Sequence, residues 1–283
     1  MTDTPATRAD GKLTVALISE VFWEPDGRAR LRERLAEASD RGADLAVLPE
    51  LPLNRWSPST KQPKDEDAEG MDGERARIQA EAAGEAGIGL VGGIIYRDEN
   101  GRRTSRALVL DSQGHLAATY EKLHLPEEEG FWETSHYEPG TEAPKRIHAF
   151  GVPIGVQLCS DNNRPEGTHL LGAQGVIATI NPRASEERTY QRWKTVWRAN
   201  ALTSCCYVLS VNRPHPEDGV LIGGPSIAID PNGNTLVETT ETLALVTVDE
   251  KVVADARVGY PGHLPVRARL YADAWAEIAG QDG

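Results

Sequence analysis

The feature that most constrains this chain is the alternation of short apolar runs with segments of helical period. Leu13 to Ser19, Ala43 to Leu48, Ile88 to Tyr96, Val152 to Leu158 and Val176 to Ile180 read as buried strands. Between them, Asp26 to Arg41 carries Leu31, Leu35 and Ala38 at helical spacing, and Gly42 stops it. Glu74 to Ala86, Pro165 to Ala173 and Glu186 to Thr203 read as further helices. Arg106 to Asp111 and Leu116 to Tyr120 flank Ser112-Gln113-Gly114 as a hairpin, and Asp230-Pro231-Asn232-Gly233 is a tight turn between the late strands Ser226 to Asp230 and Leu243 to Val248. Leu53 to Met71 and Pro126 to Gly140 read as long loops. This pattern predicts an α/β domain with strands packed between helices. With 283 residues, one core suffices, so a single domain over 13–283 is expected behind a small, polar, mobile tail from Met1 to Lys12.

Three of the apolar runs end in a reactive side chain. Ala46-Val47-Leu48-Pro49 leads to Glu50, Ala117-Ala118-Thr119-Tyr120-Glu121 to Lys122, and Val156-Gln157-Leu158 to Cys159. An amide resists attack because its carbonyl is resonance-stabilised and its amine leaves poorly. Its hydrolysis needs a strong nucleophile, donors for the oxyanion and an acid for the departing nitrogen. Cys159 supplies the thiol, Glu50 a base that can pass the proton on, and Lys122 with the Ser160 backbone N–H the oxyanion donors. Each residue alone has a bland reading as core thiol or surface charge. Their joint placement at buried strand ends favours the chemical one.

Composition removes other classes. Lys and Arg number 30 against 43 Asp and Glu, a net charge of −13 that repels nucleic acid and anionic membranes. No apolar run approaches the ~20 residues of a membrane span, and no signal-peptide core is seen. Three cysteines, two of them adjacent (Cys205 and Cys206), fit a reduced, cytoplasmic setting. His136, His148 and His169 have no metal-ligand spacing.

The motifs resemble the nitrilase (carbon–nitrogen hydrolase) superfamily over most of the chain. Asp44 to Glu50 looks like its first catalytic motif, Tyr120 to Pro126 its second, and Gly155 to Asp161 its nucleophile motif. Gly130-Phe131-Trp132-Glu133 through Tyr137-Glu138-Pro139-Gly140 is similar to the segment supplying a further active-site glutamate, here Glu133. Arg198 through Asn212-Arg213, Gly223-Gly224-Pro225-Ser226 and Pro231-Asn232-Gly233 follow the family's C-terminal half. The resemblance implies a four-layer α-β-β-α sandwich, a homodimer or larger homo-oligomer, and a thioester intermediate with no metal and no organic cofactor.

Ser160-Asp161 follows the nucleophile where nitrile-cleaving members have an aromatic residue and Glu, which disfavours a nitrile substrate. Cys159 to Glu166 and Glu50 to Pro58 are similar to the N-carbamoyl-amino-acid amidohydrolases, and aliphatic amidases are the neighbouring branch. Where the carbamoylase branch has an arginine pair, this chain has Asn162 and Asn163, which cannot clamp a carboxylate as a guanidinium does. The expected substrate is therefore a small amide or ureido compound with a polar, uncharged tail. Asn162, Asn163, His124, Arg183, Arg55 and Trp56 are the candidate substrate contacts. The competing classes are a catalytically silent scaffold, which loss of Glu50, Lys122 or Cys159 would have favoured, and an acyltransferase.

Overall fold

The computed structural model describes residues 10–280. Its strands are β1 (Lys12–Ile18), β2 (Leu45–Val47), β3 (Ala68–Glu69), β4 (Gly89–Arg97), β5 (Arg103–Leu110), β6 (Leu116–Glu121), β7 (Glu127–Glu128), β8 (Phe131–Trp132), β9 (Ile154–Val156), β10 (Ala178–Arg183), β11 (Tyr207–Asn212), β12 (Ser226–Ile229), β13 (Thr235–Thr239) and β14 (Leu243–Asp249). The helices are α1 (Gly27–Asp40), α2 (Glu74–Ala86), α3 (Pro165–Ala173), α4 (Tyr190–Ser204), α5 (Glu250–Val258) and α6 (Ala268–Ala279).

Two sheets form. The first has the order β14-β1-β2-β4-β5-β6, with β3 added beside β4; the second runs β13-β12-β11-β10-β9. β1, β2 and β4 are parallel neighbours, as are β9, β10 and β11, which is what helical crossovers between buried strands produce. The sheets meet through Leu13, Val15, Val47 and Val91 of the first and Val156, Ile180, Leu209 and Ala228 of the second. Alternate residues point outward. Ala16, Ile18, Ala46 and Leu90 meet Leu31, Leu35 and Ala38 of α1 and Ala82 and Ala83 of α2. On the far side, Val208, Ile227 and Ile229 meet Trp197 and Ala201 of α4. The result is the four-layer α-β-β-α sandwich. Burying each leucine of the α1 stripe contributes about 2 kcal/mol, which is why a three-residue stripe suffices to seat that helix.

The expected tail from Met1 to Lys12 falls mostly on residues 1–9, outside the described residues. Lys12 itself is not tail: it opens β1 opposite Asp249, because register with β14 extends that far. The expected hairpin is β5–β6 and is antiparallel. The long loop over 53–71 holds two one-turn 3-10 helices and β3, and the loop over 126–140 holds the β7–β8 hairpin and another such turn.

Candidate active site

Glu50 lies three residues beyond β2, Lys122 one beyond β6 and Cys159 three beyond β9, so two sheets deliver the three groups to one end of the sandwich. Lys122 is fully buried, and its Nζ donates to Glu50 Oε1 at 2.9 Å and to both carboxylate oxygens of Glu133 at 2.7 and 2.6 Å. Ser105 Oγ also donates to Glu50 Oε1, at 3.3 Å. Glu50 Oε2 is buried with no hydrogen-bond partner among the described residues, leaving one oxygen of this carboxylate open as a proton acceptor.

The electrostatics follow from burial. Burial works against the Lys122 ammonium, but Glu133 and Glu50 outweigh it and hold its pKa well above the usual lysine range. Burial raises Glu133 to about 8, opposed by Lys122 and assisted by Glu50. Burial also pushes the Cys159 thiol up, with Lys122 pulling the other way and both glutamates adding to the rise. Cys159 thus rests as a thiol, which needs a base to ionise. Its Sγ donates to the Ala184 carbonyl at 3.3 Å.

Cys159 adopts φ +41°, the left-handed region that a side chain occupies only where the surroundings impose it. Leu51, directly after Glu50, does the same at φ +50°. Two anchors impose these conformations. Asp161, almost fully buried, accepts the backbone N–H groups of Leu123, His124 and Leu158 at 3.1, 2.9 and 3.2 Å and the Tyr120 hydroxyl at 2.8 Å. Arg213 grips the other turn, donating to the Glu50 and Leu51 carbonyls at 2.9 and 2.8 Å and to Asn54 O at 2.9 Å. Glu217 balances its charge at 2.6 Å.

The remaining candidates are scattered. The Ser160 hydroxyl donates to the His124 carbonyl, and the His124 ring meets Asp161 Oδ1 through Nδ1 at 2.8 Å. Asn162 is buried, its carbonyl accepting from Asn200 Nδ2 at 2.8 Å, while Asn163 is exposed. Trp56 has no exposed surface: its Nε1 donates to Gly130 O at 2.8 Å and its ring packs on Phe131 at 5.6 Å, bracing the Glu133 segment. Its N–H is thus spent on the backbone and its ring on Phe131, which makes it part of the wall that holds the Glu133 segment. Arg55 is exposed and pairs with Asp218 at 2.9 Å. Arg183 is fully buried against Trp197 on the α4 side of its sheet, so in this conformation it cannot reach a substrate. Asp161 and Arg213 have no assigned role in the sequence analysis. A lone Asp after the nucleophile and an Arg closing β11 were visible, but not their distant partners. A cleft of about 670 Å³ between β6 and residues 141–148 contains none of the four clustered groups. Among the described residues no group of three His, Cys, Asp or Glu side chains is placed to hold a metal ion.

The family model for carbon-nitrogen hydrolases matches residues 16–258. The chain belongs to the carbon–nitrogen hydrolase family. Similarity to individual members of this hydrolase family is distant but long. The omega-amidase NIT2 of Danio rerio is 28% identical over 273 residues, covering 92% of this chain and 96% of that protein. A hydrolase of Mycobacterium tuberculosis is 29% identical over 238 residues, covering 78% of this chain and 83% of its own. Among solved structures, the carbon-nitrogen hydrolase from Helicobacter pylori G27 superposes with a TM-score of 0.84 at 20% identity, covering 93% of this chain and 98% of that one. Saccharomyces cerevisiae Nit3 gives 0.77 at 24% identity, covering 92% and 97%. These two likenesses concern the fold. This chain is therefore an enzyme of the carbon–nitrogen hydrolase family with a nitrilase-type sandwich.

Proposed function

We propose that the hydrolase cleaves the primary amide of a small molecule through a thioester on Cys159 and releases ammonia. The observation that supports it best is the buried Lys122 bonded to both Glu50 and Glu133, with one oxygen of Glu50 unpartnered. Glu50 takes the thiol proton as sulfur bonds to the carbonyl carbon. The carbonyl electrons move to oxygen, where Lys122 and the Ser160 N–H hold the charge. When the carbonyl re-forms, the C–N bond breaks and nitrogen leaves as ammonia with the proton from Glu50. Glu50 then deprotonates a water that attacks the thioester, and the acid departs as sulfur recovers its proton. Glu133, bonded to Nζ through both its oxygens, keeps Lys122 aimed throughout.

The names of the relatives favour an amide: several are omega-amidases. A ureido substrate is the second reading, favoured by the carbamoylase-like run from Cys159 to Glu166. A tail without negative charge fits both, since Asn162 and Asn163 carry no charge and Arg55 is already paired with Asp218. A homo-oligomer belongs to the same reading, supported by Leu270, Tyr271, Trp275 and Ile278 standing exposed on α6. So does a reducing compartment, since Cys159, Cys205 and Cys206 are all free thiols.

The test is ammonia release from simple amides, ω-amides, neutral ureido compounds, N-carbamoyl amino acids and nitriles, with Cys159→Ala as the blank. Turnover of amides that vanishes in the variant is expected. Turnover surviving in Cys159→Ala would remove the nucleophile assignment, and preference for N-carbamoyl amino acids would overturn the uncharged tail.

A further inference from the structure

Arg183 ends β10 with its guanidinium buried among neutral groups. Its Nε donates to Ser210 Oγ at 2.9 Å, and its terminal nitrogens donate to Ser185 Oγ and the Pro225 carbonyl. The Trp197 ring covers one face, 4.7 Å from the guanidinium carbon. None of these partners carries a formal charge. Arg213, equally buried, shows the usual solution: a carboxylate, Glu217, at 2.6 Å. Hydroxyl and carbonyl dipoles and an aromatic face recover only part of the cost of burying a cation, so an unpaired one needs an account.

The charged and titratable groups around Arg183 give one. From α4 it faces Tyr190, whose hydroxyl donates to Glu238 at 2.9 Å; Lys194 holds that same carboxylate at 2.6 Å. Burial and Glu238 both keep Tyr190 protonated, so that side stays neutral. Toward the nucleophile turn, a hydrogen-bonded chain leads from it to Cys159: Ser210 Oγ donates to Asn181 Oδ1 at 2.9 Å, and Asn181 Nδ2 donates to the Cys159 carbonyl at 3.3 Å. Arg183 and Cys159 act on each other electrostatically, and Lys122, Glu50 and Glu133 act on Cys159 in turn. One ammonium and two carboxylates leave that side with an excess of negative charge when both are ionised. The backbone joins the two regions: Ala184, whose carbonyl meets the Cys159 thiol, is the next residue after Arg183. Asn212 fixes the strand just beyond it, accepting from Ser185 N at 3.0 Å and donating to Ser185 O at 3.1 Å.

We propose that Arg183 is a positioning residue: a cation with no carboxylate of its own, held behind the nucleophile, that favours the ionised sulfur of Cys159 without touching substrate. This rests on Cys159 being the nucleophile. The structure gives Arg183 the rigid neutral cradle such a role requires, since a carboxylate beside it would cancel the field at the sulfur.

The experiment is the alkylation rate of Cys159 by iodoacetamide across pH 6–10, read by mass spectrometry on the Cys159 peptide, in the wild type, Arg183→Gln and Arg183→Lys. At an effective dielectric of about 20, a unit charge on the order of 10 Å away moves a pKa by about one unit. Arg183→Gln is therefore expected to move the alkylation midpoint up by about one unit and slow the reaction about tenfold at neutral pH. Arg183→Lys should restore most of both. In turnover, kcat should fall in step while KM moves less than about twofold. Unchanged midpoints in both variants, with equal losses of activity, would make Arg183 a strut and overturn the proposal. If Arg183→Gln fails to fold, Arg183→Met, neutral and of similar length, takes its place: a midpoint raised by about one unit supports the proposal, and an unchanged midpoint overturns it. Ammonia release surviving in Cys159→Ala would instead strike the nucleophile assignment, so the two failures are told apart.

Discussion

Asp161 accepts the backbone N–H of His124 at 2.9 Å, which fastens the turn bearing Cys159 to the strand end bearing Lys122. The carboxylate lies two residues past Cys159 and the N–H two residues past Lys122. A fixed spacing between sulfur and ammonium follows from this one tie. A neutral amide in place of Asp161 has one acceptor oxygen where the carboxylate has two, while several donors converge on it. Asp161→Asn is expected to lower kcat at least tenfold and to destabilise the protein by about 1–3 kcal/mol through unsatisfied buried donors. Steady-state kinetics and urea unfolding check both.

Arg213 does for Glu50 what Asp161 does for Cys159. It holds two carbonyls around Leu51, the residue at φ +50°, while Glu217 neutralises it. Arg213→Ala is expected to cost about 3–5 kcal/mol, because it strands the buried Glu217 carboxylate. Arg213→Lys keeps the charge but not the fork, so stability should partly return while kcat remains depressed. Denaturant midpoints compared with kcat separate the two effects.

Glu133 makes stability depend on pH in a defined direction. Burial holds its carboxyl at a pKa of about 8, above the ordinary value of 4.5. The folded protein therefore binds a proton that the unfolded chain has released between those values. The contribution is fully present below the unfolded value and is lost as pH rises through the folded one. Thermal midpoints of the wild type should decline from pH 5 to 9, and Glu133→Gln, which cannot ionise, should flatten that decline.

In the proposed mechanism Lys122 must stay charged to hold the oxyanion. Lys122→Met is expected to lower kcat by roughly 10²-fold or more, given what oxyanion donors contribute. It also leaves Glu50 and Glu133 facing each other without a cation. Proton uptake by that pair near neutral pH, followed by difference infrared spectroscopy of the carboxyl bands, checks the electrostatic part of the account.

Glu50, Lys122 and Cys159 were legible because an apolar run breaking into a reactive side chain is a local pattern. The first two layers of the sandwich were legible for the same reason: the Leu31, Leu35, Ala38 stripe and the apolar strands need no knowledge of partners. β13 escaped notice because Thr235–Thr239 is a largely exposed edge strand with no apolar run. α6 was legible in principle, since Leu270, Tyr271, Trp275 and Ile278 fall at helical spacing, but that pattern alone does not say what the face would pack against. The role of Asp161 depends on partners 37 and 41 positions away, which no window contains. Arg183 sits at a strand end and Trp56 on the loop after Glu50, as expected, but proximity in sequence does not say which face a side chain takes. Arg183 shares the face of Asn181, both bonded to Ser210, and so turns toward α4.

The acid and the lysine ride on one sheet and the thiol on the other, with an apolar interior between the two slabs. Each slab keeps its own hydrogen-bonded ladder whatever its neighbour does. Sliding one against the other by a fraction of a side chain would part sulfur from base yet leave every strand intact. Catalysis is thus a gauge of alignment between halves, and on warming it should fade before the circular dichroism of the sheets reports any change.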